Sequence, residues 1–372
     1  MRAALLIENK KKSQPLLPLN KSKTNIQPKV EKPKFTLTKE EEKTYGERFP
    51  IGFKKLKILG RGGCALVWLG EDTSSGKKLA VKQISRMSGP NAIESCKREI
   101  HFGAILNELS HPALDSIVRL VDSKTEKSDI WALYEVGGTS LSKALFQVKG
   151  EFVKGERMYK IEHPNIYREF MNIQVLSRFI YELMQVLEFL SSLNIVHSDL
   201  KPDNILVNTD KYEGIKIIDF GSAYYFTGSG SINTATPEYM PPEALEIAHC
   251  PGDHISHLSS ISRPWSFDIW SAGMIILEII SGVPLWMSLK SRTEKMGRVV
   301  LCRGLLAASA RDPETILKLQ AETTYNLSST ISKYAAFPVP QSLVDLVTKM
   351  LDWDPANRIS PSEALAHEFF QI

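Results

Sequence analysis

His197-Ser198-Asp199-Leu200-Lys201-Pro202-Asp203-Asn204 is the stretch that decides how this chain is read. A carboxylate, an ammonium and an amide fall within six positions of one compact loop, and the apolar run Ile205 to Val207 anchors that loop as a strand. Fifteen residues past Asn204 stand Asp219, Phe220 and Gly221, preceded by the buried-strand run Ile215 to Ile218. One carboxylate to accept a hydroxyl proton, with an amide and a second carboxylate to hold Mg2+, make a metal-phosphate site.

Upstream, Gly60, Arg61, Gly62, Gly63, Cys64, Ala65, Leu66 and Val67 lie between two strands. Glycines there let backbone amides approach phosphate oxygens with no Cβ in the way. By itself such a cluster is equally a plain hairpin turn. Lys82 follows 22 residues after Gly60, at the end of the apolar run Leu79, Ala80 and Val81. A phosphate-binding Lys needs a carboxylate to hold it, and the next helix offers Glu94 or Glu99, of which Glu99 is chosen. Ile93 and Ile100 are read as burying on opposite sides of that helix.

Working outward, the 372 residues are 43% hydrophobic and 24% charged, an ordinary folded composition that excludes collagenous, mucin-like and wholly disordered chains. Cys64, Cys96, Cys250 and Cys302 are too few and too irregular for a disulfide framework, so free thiols in a reducing compartment are expected. Residues 1 to 39 hold ten Lys or Arg against two Glu, which leaves 36 basic and 40 acidic residues for the rest. The tail is thus +8 and the body −4, and no nucleic-acid partner is expected for the body. Residues 1–48 carry scattered Lys and Pro without an apolar period and are read as a disordered basic tail. Lys10, Lys11 and Lys12 make it either an arm that docks a partner or an acidic surface, or plain solvated slack. No signal peptide is read at the start. Glu278, Gly273, Gly282 and Pro284 interrupt the apolar stretch Ile269 to Met287, so it is a buried core helix and no transmembrane segment is expected. From Phe53 short strands at Lys57 to Leu59, Ala65 to Gly70 and Lys78 to Ile84 predict a small antiparallel sheet, followed by a helix over Glu94 to Leu109 and a strand at Ala132 to Val136. Helices are expected at Ser142 to Phe146, Phe170 to Ser192, Asp268 to Ile280 and Pro340 to Leu351.

Taken together, these elements resemble a eukaryotic protein kinase catalytic domain over Phe53 to Phe370. Further matches are Thr236-Pro237-Glu238-Tyr239, which resembles the substrate-site loop, and Pro241-Pro242-Glu243, which resembles the Ala-Pro-Glu element. Asp268 to Gly273 resembles the buried helix start, and Arg358 would pair with Glu243. The resemblance implies an α+β, bilobal fold: a small antiparallel sheet with one key helix over about 49–136, and a mainly helical lobe over about 140–371. It implies ATP and Mg2+ as cofactors, with Asp199 as catalytic base and Lys201 on the transferring phosphate. Asn204 and Asp219 would hold Mg2+, and Lys82, fixed by Glu99, would hold the α and β phosphates beneath Gly60, Gly62 and Gly63. Val67, Ala80 and Leu206 would sandwich the adenine, Tyr134 would gate the pocket, and Glu135 and Val136 would begin a hinge running to Gly138. Lys201 and Thr236 resemble the serine/threonine branch, so the implied substrates are protein Ser and Thr hydroxyls, in the cytoplasm or the nucleus. The competing readings are a pseudokinase scaffold and a small-molecule kinase of related fold. Gly221-Ser222-Ala223 looks like the group of dual-specificity and splicing-factor kinases, whereas Thr236 to Tyr239 looks unlike it, so the subgroup stays open.

The chain also departs from the family's pattern. Ser198 stands where an Arg usually meets an activation-segment phosphate, so activity is expected not to require phosphorylation at Thr227, Ser229, Ser231 or Thr234. Gly103 removes a side chain one turn past Glu99, which is expected to loosen the helix. The charge-mixed stretch 146–170 reads as a hairpin on the helical lobe or as a docking surface. In the stretch 244–265, Cys250, His254 and His257 are zinc-compatible in type. Cys64 would be an exposed, reactive thiol beside the nucleotide.

Overall fold

A computed structural model describes residues 48–62, 65–153, 156–208, 211–227, 236–249, 260–285, 290–293, 299–302 and 313–371. The expectations for residues 1–47, for Gly63 and Cys64, for Ser229, Ser231 and Thr234, and for Cys250, His254 and His257 lie outside the described residues. The described residues form two compact units. One holds residues 48 to 104 with Arg119–Val136, the other Ile105–Val118 with everything from Gly137 on.

The first unit is built on β1 (Phe53–Arg61), β2 (Ala65–Asp72), β3 (Lys78–Ser85), β4 (Leu120–Thr125) and β5 (Asp129–Tyr134), with α1 (Pro90–Asn107) between β3 and β4. The five strands form one antiparallel sheet in the order β1-β2-β3-β5-β4. Alternation along β3 decides the two faces. Leu79, Val81 and Gln83 are buried on one, and Ala80, Lys82 and Ile84 stand on the other. The first face carries Leu66, Trp68, Leu79, Val81, Trp131 and Leu133, with Phe49, Phe53 and Ile58 against them. The second carries Ala65, Ile84 and Ile130, onto which α1 packs Ala92 and Cys96. Ile93 and Ile100 both join that cluster, contrary to the expectation of opposite sides. Seven residues are almost two full helical turns, which returns the second isoleucine to the face of the first.

The second unit continues with β6 (Thr139–Ser140), α2 (Leu141–Leu145), β7 (Gln147–Val153), β8 (Glu156–Glu162), α3 (Asn165–Phe170), α4 (Ile173–Ser192), β9 (Ile195–Val196), β10 (Ile205–Val207), β11 (Lys216–Ile217) and β12 (Tyr224–Tyr225). Then come α5 (Pro242–His249), α6 (Ser266–Ser281), β13 (Lys290–Thr293), β14 (Val299–Cys302), α7 (Pro313–Thr324), α8 (Leu327–Tyr334), α9 (Gln341–Met350) and α10 (Pro361–Leu365). The helix expected from Phe170 to Ser192 starts three residues later, at Ile173, because the Asn172 side chain accepts the Gln174 backbone N–H and caps α4 there, Phe170 being the last residue of α3. Every residue of α6 from Ser266 to Ile280 is buried, which explains the apolar run there. Among the described residues no helix is long and apolar enough to cross a membrane. Within 146–170 the charge-mixed sequence forms the β7–β8 hairpin, Gln147 opposite Glu162.

Candidate active site

The loop from His197 to Asn204 hangs between β9 and β10, and both strands are pinned: β9 pairs with β12, and β10 with β6 and β11. At its start the backbone N–H groups of His197 and Ser198 donate to Asp268 Oδ2 and Oδ1 at 2.7 and 2.9 Å. Asp268 sits in the first turn of α6 and is buried. Burial raises its carboxyl above the ordinary value, against His197 and the two amides, which lower it. Ser198 is held at φ +60, a left-handed conformation costly for a non-glycine residue, and its Oγ donates to Ser222 O at 2.8 Å. His197 Nε2 lies 3.0 Å from Ile218 O, and its ring meets Phe220 edge-on at 4.8 Å.

Those contacts place Asp199 at the centre. Its Oδ1 accepts from Thr236 Oγ1 at 2.7 Å and Thr236 N at 3.2 Å. Its Oδ2 accepts from Lys201 Nζ at 2.7 Å and Asn204 Nδ2 at 3.0 Å. Lys201 Nζ also donates to Thr236 Oγ1 at 2.6 Å. Four donors, two of them from Thr236, fix the direction of one carboxylate. Asn204 spends its Nδ2 on Asp199, which leaves its carbonyl Oδ1 as an oxygen donor. Its backbone O accepts the Ile218 N–H at 3.0 Å, so Asp219 follows directly from a residue tied to Asn204. Asp219 stands at φ +67, and strain of this kind collects at functional sites. An amide oxygen and a carboxylate are hard donors that fit Mg2+.

Within the first unit, Lys82 Nζ lies 2.6 Å from Glu99 Oε2, with both side chains largely buried. Glu94, the other candidate, pairs instead with Lys97 at the surface, 2.9 Å away. Val67 lies opposite Lys82, and Tyr134 opposite Ala80, so Val67, Ala80, Lys82 and Tyr134 share the face on which α1 packs. Gly60 pairs with Val67, and the Gly62 N–H donates to Ala65 O at 2.9 Å, closing the β1–β2 turn. Glu135 N donates to Arg119 O, and Arg119 N returns a bond to Glu135 Oε1. Val136 is exposed, and Leu206, in the second unit, is half-buried in β10.

Glu243 and Arg358 meet as expected: Nη1 and Nη2 reach Oε1 and Oε2 at 2.7 and 3.0 Å, both groups buried. The Arg358 guanidinium also lies over the Trp270 ring. Tyr239 OH donates to Glu278 Oε2 at 2.6 Å, which fastens the loop after Thr236 to α6. Sequence reasoning missed that bond and the Ser198–Ser222 bond. The first carried a signal, since Glu278 is a carboxylate inside an apolar helix. Among the described residues no group of three His, Cys, Asp or Glu side chains could hold a metal ion.

The sequence profile of the family described as protein kinase domain matches residues 53–370. Mitogen-activated protein kinase 10 of Arabidopsis thaliana is 28% identical over 322 residues, 84% of this chain and 72% of that protein. Mitogen-activated protein kinase HOG1 of Arthrobotrys oligospora is 28% identical over 335 residues, 87% of this chain and 83% of that protein. Mitogen-activated protein kinase mpk-1 of Caenorhabditis elegans is 26% identical over 345 residues, 89% of this chain and 68% of that protein.

Proposed function

The chain belongs to the protein kinase domain family and is a protein serine/threonine kinase, and on that premise we propose that it transfers the γ-phosphoryl group of ATP, with Mg2+, to Ser and Thr hydroxyls of protein substrates, Asp199 acting as the base. The observation that carries this reading is the Asp199 carboxylate, aimed by Thr236, Lys201 and Asn204. A base must point at the proton it takes before its basicity matters. When bound, Mg2+ supplies the positive charge that balances the phosphate oxygens. Asn204 and Asp219 would hold it, and Lys201 would meet the transferring phosphate. Lys82, oriented by Glu99, would grip the inner phosphates, with the backbone of the glycine loop as the further phosphate contact. Val67, Ala80 and Tyr134, which share one face of the first unit's sheet, would line the adenine, and the backbone of Glu135 and Val136 would meet the base edge; Leu206 is assigned to the adenine by family resemblance alone.

Calorimetry of the full chain tests the grip, and protein and small-metabolite acceptors offered side by side test the chemistry. Mg-ATP binding that is weakened by Lys82→Met, with label appearing on Ser or Thr of the protein acceptor, is expected. No nucleotide binding, or label on the metabolite alone, overturns the reading.

A further inference from the structure

Family resemblance begins at residue 53, yet the described chain is already docked five residues earlier. Arg48 Nη1 lies 3.0 Å from Asp129 Oδ2, and the Asp129 side chain is fully buried. The other donors to that carboxylate are neutral: Gln83 Nε2 at 3.2 Å and Ser128 Oγ at 2.7 Å. Gln83 in turn accepts the indole N–H of Trp68 at 3.0 Å. Phe49 meets Trp68 and Trp131 edge-on, at 6.2 and 5.7 Å between ring centres. It packs closely over Gly70, where an added Cβ would lie 3.2 Å from the Phe49 ring and 3.0 Å from Val81 Cγ2. A buried acid, an amide relay, two indoles and a glycine thus form a cradle for one Arg-Phe dipeptide on the sheet face opposite α1.

The relay passes through Gln83, the residue after Lys82. The two side chains leave β3 on opposite faces, Gln83 toward the cradle and Lys82 toward Glu99. Taking away the Arg48 cation would leave the Asp129 charge buried among neutral donors, a costly arrangement that the surroundings relieve by moving. One of the two remaining bonds to that carboxylate is the Gln83–Asp129 link across β3 and β5, through which such a shift would reach β3.

We propose that Arg48 and Phe49, from outside the shared kinase domain, are positioning residues that hold β3 from its outer face and so set the nucleotide grip of Lys82. This rests on the reading of Lys82 as a phosphate ligand. It makes the root of the basic tail part of the catalytic apparatus rather than the start of a linker.

The test uses the full chain with Arg48→Ala, Arg48→Lys and Phe49→Leu, assayed for KM of Mg-ATP and for kcat, with the folded fraction followed by circular dichroism. Arg48→Ala is expected to raise KM for Mg-ATP about fivefold while kcat per folded molecule stays within about twofold, and Arg48→Lys to restore most of the change. Phe49→Leu keeps an apolar plug and is expected to fold and to raise KM less. An unchanged KM in Arg48→Ala, or in Phe49→Leu should Arg48→Ala not fold, overturns the proposal; so does a loss of activity that only follows the loss of folded protein. Lys82→Met is run alongside. If it leaves nucleotide binding intact, the reading of Lys82 fails; if it abolishes binding while the Arg48 and Phe49 variants are silent, only the cradle's role fails.

Discussion

Arg358 shows most plainly how much can hang on one side chain. Its guanidinium is fully buried against Glu243 and also donates to Ser266 O and Asp352 O, so it joins α5, α6 and the turn before α10. Arg358→Ala strands a buried carboxylate and should lower unfolding stability by about 3–5 kcal/mol in a denaturant titration. Thr236→Val removes a hydroxyl that both donates to Asp199 and accepts from Lys201. With a charge-assisted bond worth about 1.5–3 kcal/mol, kcat should fall roughly tenfold or more while Thr236→Ser stays near wild type. Lys82, Glu99, Asp199, Lys201, Asn204, Asp219 and Thr236 could be proposed from the sequence because residues of those types stand at recurring spacings. The Ser198–Ser222 bond could not, since a hydroxyl reaching a carbonyl depends on a φ of +60 that no residue type announces. The Arg48–Asp129 pair was equally hidden, because it joins residues 81 positions apart with no local pattern.

Among the elements, α1 departs most from expectation. The missing side chain at Gly103 leaves no slack there, because Leu120 of β4 fills the space: a Cβ would lie 3.0 Å from Leu120 Cβ and 3.1 Å from its Cδ2. Gly103→Leu therefore overpacks the contact and should cost about 1–3 kcal/mol of stability, read as a lowered Tm, instead of tightening a loose helix. Periodicity made α6 and α9 readable, and the capping side chain of Asn172 made the break before α4 less so. On α9, Asp345 accepts from Lys349 at 2.6 Å and lies 2.9 Å from His367 Nε2. Its hydrogen bond from Lys349, then that from His367, hold its carboxyl below the ordinary value. The folded state thus binds fewer protons than the unfolded one just below the usual carboxylate range, so this support is present above about pH 4 and is lost as pH falls through the lowered value. Asp345→Asn should lower Tm at pH 7, with the gap to wild type closing on acidification and shrinking in high salt.

At the scale of the whole molecule, the question is whether the site is assembled before any modification. Ser198 holds Ser222, β9 pairs with β12, and Phe226 N donates to Asn194 O at 2.7 Å, so the segment after Asp219 is fastened by neutral bonds. Phosphatase treatment of the full chain should therefore leave turnover within about twofold, whereas kinases that use an Arg-phosphate contact there lose activity when the phosphate is removed. The two-lobed architecture was legible because a sheet-rich texture gives way to a helical one after Val136; the root of the tail was not, because the cradle that receives it comes from β2, β3 and β5. The most direct measurement is transfer of labelled γ-phosphate from Mg-ATP to a protein acceptor, with phosphoamino-acid analysis, by wild type and by Asp199→Asn. Label on Ser and Thr that falls by about a hundredfold or more in the variant is predicted. Equal labelling by the two proteins, or none by wild type, would contradict it.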